Sequence, residues 1–231
     1  MGRSFLFLFI VITVILYLNR DKLSSYFPIH IVKIYGVVHT PKDKIEAEVA
    51  SYLQRGFFSI PMDEIHDHLI QSPWVSDVAI RRIWQDQLVI TVMEKIPVAR
   101  WGKMHLLSEQ GVIFKPPSPY DASHLPLFLG ETGDQVTMLK YFNEMNRLLA
   151  PLHVKIMTLT LSPYQTWKLV LDNGVILEMG HKDILTRLNH FVKVYPKIAE
   201  QKKVPLERVD LRYPNGCAIR WKQDYGKEAN Q

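Results

Sequence analysis

The feature of this sequence that most constrains its fold is an uncharged apolar run close to the N-terminus. Residues 4–18 contain 13 apolar side chains out of 15 and carry no charge. As an α-helix the run would be about 22 Å long, which is short for the ~30 Å hydrocarbon core of a bilayer. Arg3, Arg20 and Lys22 flank the run, and such long side chains can reach the lipid headgroups and close most of the gap.

Three interpretations of this run compete: an uncleaved membrane anchor, a cleaved signal peptide and a buried core helix. A cleaved signal needs small residues at −3 and −1 of the cleavage site, whereas Asn-Arg-Asp-Lys-Leu follows this run. A core helix would show a polar face, and this run has none. The anchor is therefore favoured. Its orientation stays open, because the positive charges on its two sides balance.

The charge of the chain is concentrated at its other end. The formal net charge is +5, and residues 151–231 alone contain 13 Lys and Arg against 8 Asp and Glu. Nucleic-acid binders usually carry a basic stripe interleaved with aromatic residues, so we expect no nucleic-acid partner. The single cysteine, Cys217, excludes an internal disulfide and a thiolate metal cluster.

A polar linker, residues 19–28, leads into a small α+β pattern that ends near residue 97. Alternating residues predict a strand over 30–35, followed by a helix with Thr40 as its N-cap and Gly56 at its end. Pro61 begins a second, shorter helix.

Two alternating runs, residues 75–84 and 88–94, then predict a β-hairpin, with Trp84 expected in the core. The order strand–helix–helix–strand–strand predicts a three-stranded sheet with both helices on one face.

Residues 98–222 are mainly β in pattern, with two helices over about 134–149 and 183–199. A proline-rich loop is expected before the first of these helices. The last strand, 217–222, alternates and is followed only by a polar tail, 223–231, so we expect it at a sheet border. Such an edge can be shielded by its own charged residues or can receive an added strand, and the pattern favours neither.

The motifs of common catalytic sites are absent from the sequence. It contains no phosphate-binding loop, dinucleotide-binding glycine motif, H-E-x-x-H or G-x-S-x-G. His66 and His68 lie two apart on a predicted helix and project about 200° apart, so they cannot chelate one ion. We therefore expect neither an enzyme nor a bound cofactor or metal.

Four segments in register resemble the FtsQ/DivIB family of bacterial cell-division proteins. They are residues 73–84, residues 88–101, Leu125-Pro126 followed by Gly130, and residues 209–216 ahead of Trp221. The resemblance implies a type II inner-membrane protein with three cytoplasmic residues, 1–3, and an anchor over 4–18. A POTRA domain over 29–97 and a β domain over 98–222 would lie in the periplasm, enriched at the division septum.

The resemblance also implies what the protein does. It implies a scaffold that recruits and regulates divisome proteins by binding FtsB, with FtsL, through β-strand addition at the C-terminal edge. The residues implied to form that site are Arg212, Tyr213, Asn215, Gly216 and Trp221, with Arg187 on the adjoining helix. The alternative is a POTRA-type periplasmic chaperone or protein-transport partner.

Overall fold

The computed structural model describes residues 8–11, 13–14, 27–117, 119–201, 204–213 and 216–222. The chain divides into two compact units, one ending at Lys95 and the other beginning at Ile96. Residues 8–11 and 13–14 are helical, and the rest of the predicted anchor lies outside the described residues, as do the linker up to residue 26 and the tail. Within the described part, no helix is both long enough and apolar enough to cross a membrane.

The first unit is a three-stranded sheet packed against helices. Its elements are β1 (Ile31–Tyr35), α1 (Lys42–Leu53), α2 (Gly56–Ser59), α3 (Met62–Leu69), β2 (Val75–Ile83) and β3 (Gln87–Glu94). The strand order is β1-β3-β2, with β1 parallel and β2 antiparallel to β3. The predicted hairpin and the two longer helices are confirmed.

The core of this unit follows the periodicity of its elements. Three buried residues of β3 share one face of the sheet, because side chains two apart on a strand point to the same side, and they form one core with the helical stripes of α1 and α3. The buried residues that make this contact are Leu88, Ile90 and Val92 of β3, Ile45 and Val49 of α1, and Ile65 and Leu69 of α3.

Three details of this unit differ from the sequence prediction. Helix α1 begins one residue later than predicted, with Pro41 rather than Thr40 at its N-cap and no side-chain cap. The backbone N–H of Thr40 donates to the carboxylate of Glu94. Helix α1 also ends before Gly56, whose positive φ of 74° opens the unpredicted turn α2. Trp84 is not in the core, since 56% of it is exposed.

The second unit is built on one nine-stranded sheet. Its strands are β4 (Pro97–Trp101), β5 (His105–Ser108), β6 (Ile113–Phe114), β7 (Leu127–Leu129), β8 (Ile156–Leu161), β9 (Trp167–Leu171), β10 (Ile176–Gly180), β11 (Leu206–Asp210) and β12 (Ala218–Trp221). Helices α4 (Gln135–Leu149) and α5 (Ile184–Gln201) flank it, with a 3₁₀ turn at Ala150–Leu152. The strand order is β12-β11-β10-β9-β8-β7-β4-β5-β6.

One strand of this sheet was missed by the sequence prediction. Strand β7 has only three residues and lies between the predicted proline-rich loop, residues 115–126, and the helix predicted from about residue 134, where no element was predicted. It pairs in parallel with both β4 and β8, and so joins the two halves of the sheet. Three residues between Pro126 and Gly130 are too few to show a periodicity, so only the neighbouring strands define this element.

Candidate partner-binding site

The candidate site is a groove between helix α5 and the chain that leads into β12. Its volume is about 710 Å³. We call it the α5 groove, and it is lined by Arg187, His190, Phe191, Lys193, Val194, Ile198, Leu211, Tyr213, Gly216, Cys217 and Ile219.

Strand β12 borders this groove and lies at one edge of the sheet in its described part, with β6 at the other edge. It pairs antiparallel with β11, with Ile219 opposite Val209 and Ala218 opposite Asp210. Cys217, Ile219 and Trp221 are partly buried on one side, packed against the core, and the residues between them are exposed. The alternation predicted from the sequence is therefore confirmed.

The backbone N–H groups of β12 alternate between pointing toward β11 and pointing away from it. The N–H of Lys222 donates to the carbonyl oxygen of Pro205 over 3.0 Å, toward β11. Because successive N–H groups alternate along a strand, the N–H of Ile219 points away from β11, toward the outer edge. The outer edge is therefore where a further strand could pair.

Arg187 fastens helix α5 to the start of this site. Its guanidinium Nη1 lies 3.0 Å from the carbonyl oxygen of Arg212, 3.2 Å from that of Leu211 and 3.5 Å from that of Met179. A guanidinium can serve several acceptors at once because its donors are fixed in one plane. The side chain therefore holds one wall of the α5 groove in place.

Arg212 is paired within the chain. Its Nη2 and Nε bind the carboxylate of Asp210, and the Nη2–Oδ2 distance is 2.6 Å. Asp210 also accepts the backbone N–H of Arg212 over 3.0 Å, and strand β11 ends at Asp210. The hydrogen bonds from Arg212 hold the pKa of Asp210 below its usual range.

Gly180 makes room for these two arginines at the end of β10. Its φ is 74°, a conformation that favours glycine. A Cβ placed there would lie 3.2 Å from Cγ of Arg212 and 3.7 Å from Nη1 of Arg187. The backbone conformation therefore favours glycine, and a larger residue would also require the Arg212 side chain to shift slightly.

The remaining residues predicted for the site fall in different places. Tyr213, with 57% of its surface exposed, and Gly216 line the α5 groove together with Arg187. Trp221 lies on the partly buried face of β12, opposite Leu206, and does not line the groove. Asn215 lies outside the described residues.

The chemistry of the groove combines an apolar floor with basic walls. Phe191, Ile198 and Leu211 are buried beneath it. Arg187, His190 and Lys193 are the residues of α5 with basic side chains that line it. The described lining contains no Asp or Glu. Burial raises the pKa of the Cys217 thiol, which also lines the groove. The arrangement suits an apolar side chain accompanied by negative charge.

Sequence reasoning did not identify most of the helical wall of the groove. The helix and Arg187 were predicted, but residues 187, 190, 191, 194 and 198 together form a stripe with helical spacing along the groove. That spacing was the available signal. Across the described residues, no group of three His, Cys, Asp or Glu side chains is placed to hold a metal ion.

Comparison with protein-family models defines the class of this protein. Residues 27–95 match the POTRA domain of FtsQ type. Residues 99–212 match the C-terminal region of the cell division protein FtsQ/DivIB. The chain is therefore a cell-division protein that joins a POTRA domain to an FtsQ/DivIB-type β domain.

Individual relatives give the same result. The chain is 35% identical over 184 residues to the cell division protein FtsQ of Coxiella burnetii, covering 80% of this chain and 76% of the relative. It is 33% identical to FtsQ of Shewanella oneidensis, covering 86% and 76%, and 30% identical to FtsQ of Escherichia coli, covering 79% and 68%. The chain belongs to the FtsQ/DivIB family, and its partners are proteins of the divisome.

Proposed function

We propose that this chain is a divisome scaffold that binds FtsB, together with FtsL, at the outer edge of β12 and in the α5 groove. The observation that carries the proposal is the position of the groove directly beside the outermost described strand. In strand addition, backbone pairing supplies affinity and neighbouring pockets supply specificity. A strand added to β12 would bring its own side chains to the mouth of the groove.

The chemistry of the groove supports a particular kind of partner segment. An apolar side chain would fill the floor over Phe191, Ile198 and Leu211, and acidic neighbours would face the basic residues of α5. The five net positive charges of residues 151–231 would speed encounter with an acidic segment. The naming of FtsB rests on the family resemblance.

The proposal includes a single anchor in the inner membrane over residues 4–18. Its support is the uncharged apolar run and the helical conformation of residues 8–11 and 13–14. The family resemblance supplies the orientation, with residues 1–3 in the cytoplasm and both folded units in the periplasm. A protein so anchored would act at the septum without catalysis.

The first test removes an aromatic ring from the groove. The full chain in detergent is titrated with the FtsB–FtsL complex, and the Kd is compared for the wild type, Tyr213→Ala and Tyr164→Ala. Tyr164 is 87% exposed on the loop between β8 and β9 and serves as the matched control. We expect Tyr213→Ala to weaken binding by about 1–3 kcal/mol, roughly 5- to 150-fold, because aromatic anchors dominate interfaces. An unchanged Kd for folded Tyr213→Ala would contradict the site.

The second test concerns strand addition itself. Ile219→Pro removes an N–H that points away from β11, while Ile219→Ala removes a comparable part of the side chain and keeps that N–H. Proline is tolerated on an edge strand where its missing N–H faces outward. If a partner strand pairs with β12, Ile219→Pro should bind at least tenfold more weakly than Ile219→Ala. Equal affinities of the two variants would exclude pairing at this position.

A competition experiment separates the scaffold from the chaperone alternative. An unfolded, unrelated β-rich protein is added to the preformed complex with FtsB–FtsL. A scaffold should retain its partner at a hundredfold excess of the competitor. Displacement near equimolar competitor would favour the chaperone.

A further inference from the structure

A cluster of aromatic side chains lies at one end of the POTRA unit and takes no part in the site described above. It consists of Phe27, Phe57, Phe58 and Trp84, and we call it the aromatic patch. Neighbouring ring centroids are 5.3–5.8 Å apart. Trp84 is 56% exposed and Phe58 is 48% exposed, whereas Phe57 is buried beneath them.

The patch is held firmly by the backbone around it. The N–H of Phe57 donates to the carbonyl oxygen of Phe27 over 2.8 Å. Arg82 of β2 donates from Nη1 to the carbonyl oxygens of Phe57 and Phe58, at 2.9 and 3.2 Å. These hydrogen bonds hold the backbone that carries the exposed rings. A rigidly held group of exposed rings is suited to docking.

Two further apolar side chains are exposed at this end of the sheet, but on its other face. Ile31 of β1 and Ile83 of β2 are both paired with Gln87 of β3, whereas Arg82, which binds the backbone of the patch, is paired with the core residue Leu88. The patch therefore consists of its own rings. Exposed apolar surface of this kind marks a site of interaction with a protein or a membrane.

The sequence that precedes this unit favours a membrane over a protein as the surface on which the patch docks. Phe27 belongs to the patch, and only residues 19–26 separate it from the end of the apolar run at Leu18. Nine residue steps span at most about 32 Å even when fully extended. If the run is a membrane anchor, the patch therefore stays within that distance of the bilayer surface.

The composition of the patch suits that location. Tryptophan and other rings prefer the headgroup region, where an apolar body meets a polar environment, and arginine stems can lie along it. The guanidinium carbon of Arg82 in β2 lies 5.8 Å from the ring centroid of Phe57, and anionic lipid headgroups attract basic side chains. A small patch alone would bind lipid weakly, but the tether makes the contact intramolecular and raises its effective concentration.

We propose that the aromatic patch docks on the lipid headgroup region and so fixes the POTRA unit against the membrane. The proposal rests on the anchor included in the proposed function. Its occupant is lipid, and a protein partner is an alternative that the experiment separates.

The test uses tryptophan fluorescence of the full chain reconstituted into vesicles. The vesicles contain phosphatidylethanolamine and phosphatidylglycerol, with or without lipid brominated on the acyl carbons nearest the headgroup. The apolar run contains no tryptophan, so quenching by bromine cannot arise there. We expect brominated lipid to quench part of the emission, and we expect that quenching to be lost in Trp84→Phe. Trp167→Phe, which removes a tryptophan that is 4% exposed, should retain it.

A second variant tests docking while it keeps the reporter. Phe58→Ser should at least halve the quenching of Trp84, whereas Tyr164→Ser, an exposed ring in the other unit, should not change it. If Trp84→Phe is quenched as strongly as the wild type, lipid docking by the patch is wrong. It is also wrong if Trp84 changes its emission only when FtsB and FtsL are reconstituted with the chain, which would indicate a protein partner.

The anchor has its own readout in the same preparation. A chain that floats with the vesicles after alkaline washing but shows no quenching would overturn the docking proposal and leave the anchor standing. A chain that separates from the vesicles would overturn both.

Discussion

Arg187 of helix α5 donates a hydrogen bond from its guanidinium to the carbonyl oxygen of Arg212, over 3.0 Å. This contact joins the helix to the segment between β11 and β12. It was not expected from the sequence, where both residues were assigned to partner recognition on the strength of the family resemblance. The structure indicates that Arg187 acts first as a support for the α5 groove, because its donors serve carbonyl groups of the same unit.

Arg187→Lys should therefore loosen the chain beside the groove. Lysine keeps the positive charge, but its ammonium group lacks the fixed planar geometry of the guanidinium that places Nη1 at these carbonyl oxygens. We expect amide exchange in residues 206–213 to rise about tenfold, or roughly 1–1.5 kcal/mol, near the lower end for a hydrogen bond from a charged donor. Lys193→Met, also in the groove wall, should leave this exchange unchanged. Equal exchange in Arg187→Lys and the wild type would assign no supporting role to Arg187.

Asp210→Asn should release the Arg212 guanidinium toward the partner. The amide oxygen of asparagine can still accept the backbone N–H of Arg212, so the turn is retained while the ion pair is lost. We expect association with FtsB–FtsL to be a few times faster at low salt, with the difference shrinking at 0.3 M salt, because screening suppresses electrostatic steering. Stopped-flow mixing measures both rates.

The control for this variant is Asp172→Asn, which removes the same charge in the exposed turn between β9 and β10. It should change the association rate less than Asp210→Asn does. Identical effects of the two variants would reduce the result to net charge alone.

Cys217 should report occupancy of the groove. Burial raises the pKa of its thiol, and the thiolate is the form that alkylating reagents attack. The folded chain should therefore react with iodoacetamide more slowly at pH 7.5 than the same chain in urea, and its rate should rise at a higher pH. Saturating FtsB–FtsL should slow the reaction at least tenfold further. Mass spectrometry follows this reaction without interference, since Cys217 is the only cysteine.

Unprotected alkylation of Cys217 in the complex would show that the partner does not cover the groove. Tyr213→Ala provides a control at a partner concentration that saturates only the wild type. Protection should then be partial.

Glu94 should make the stability of the POTRA unit depend on pH. Burial by itself raises the pKa of this carboxyl group, but hydrogen bonds from the N–H groups of His39 and Thr40 and from the His39 ring outweigh that effect, and the pKa lies below its usual range. The exposed His39 ring stacks on the buried Trp74, with ring centroids 4.0 Å apart. A carboxyl group with a lowered folded pKa stabilises the fold above the unfolded pKa, about 4.3, and that stability is lost as pH falls through the folded pKa.

We therefore expect Glu94→Gln to lower the free energy of opening of this unit by about 1–2 kcal/mol at pH 7. The difference from the wild type should shrink below pH 4. Pulse-labelled amide exchange in urea, read from residues 42–53 and 87–94, measures this unit separately from the other. Glu46→Gln, an exposed change on α1, should have no such effect. A difference that stays constant as pH falls below 4 would contradict the assigned role of the carboxylate.

The sequence by itself determined most local structure and the faces of the elements. The alternation of residues 217–222 predicted a last strand with two different faces, and the alternating runs 75–84 and 88–94 predicted the hairpin of β2 and β3. These features depend on neighbours within a few residues, so their periodicity is present in the sequence. The family resemblance added the two domain types that comparison then established.

Only the tertiary structure decided the features that depend on distant residues. Strand β7 exists because β4 and β8 lie on either side of it. Trp84 is exposed because the aromatic patch forms at the end of the sheet rather than inside the core. The α5 groove combines a stripe of helix residues, 187–198, with lining residues further along the chain, 211–219. Arg187 holds the wall of the groove through hydrogen bonds to the carbonyl oxygens of Met179 and Arg212. These two residues lie on either side of Arg187 in the sequence, so no local pattern encodes the relationship.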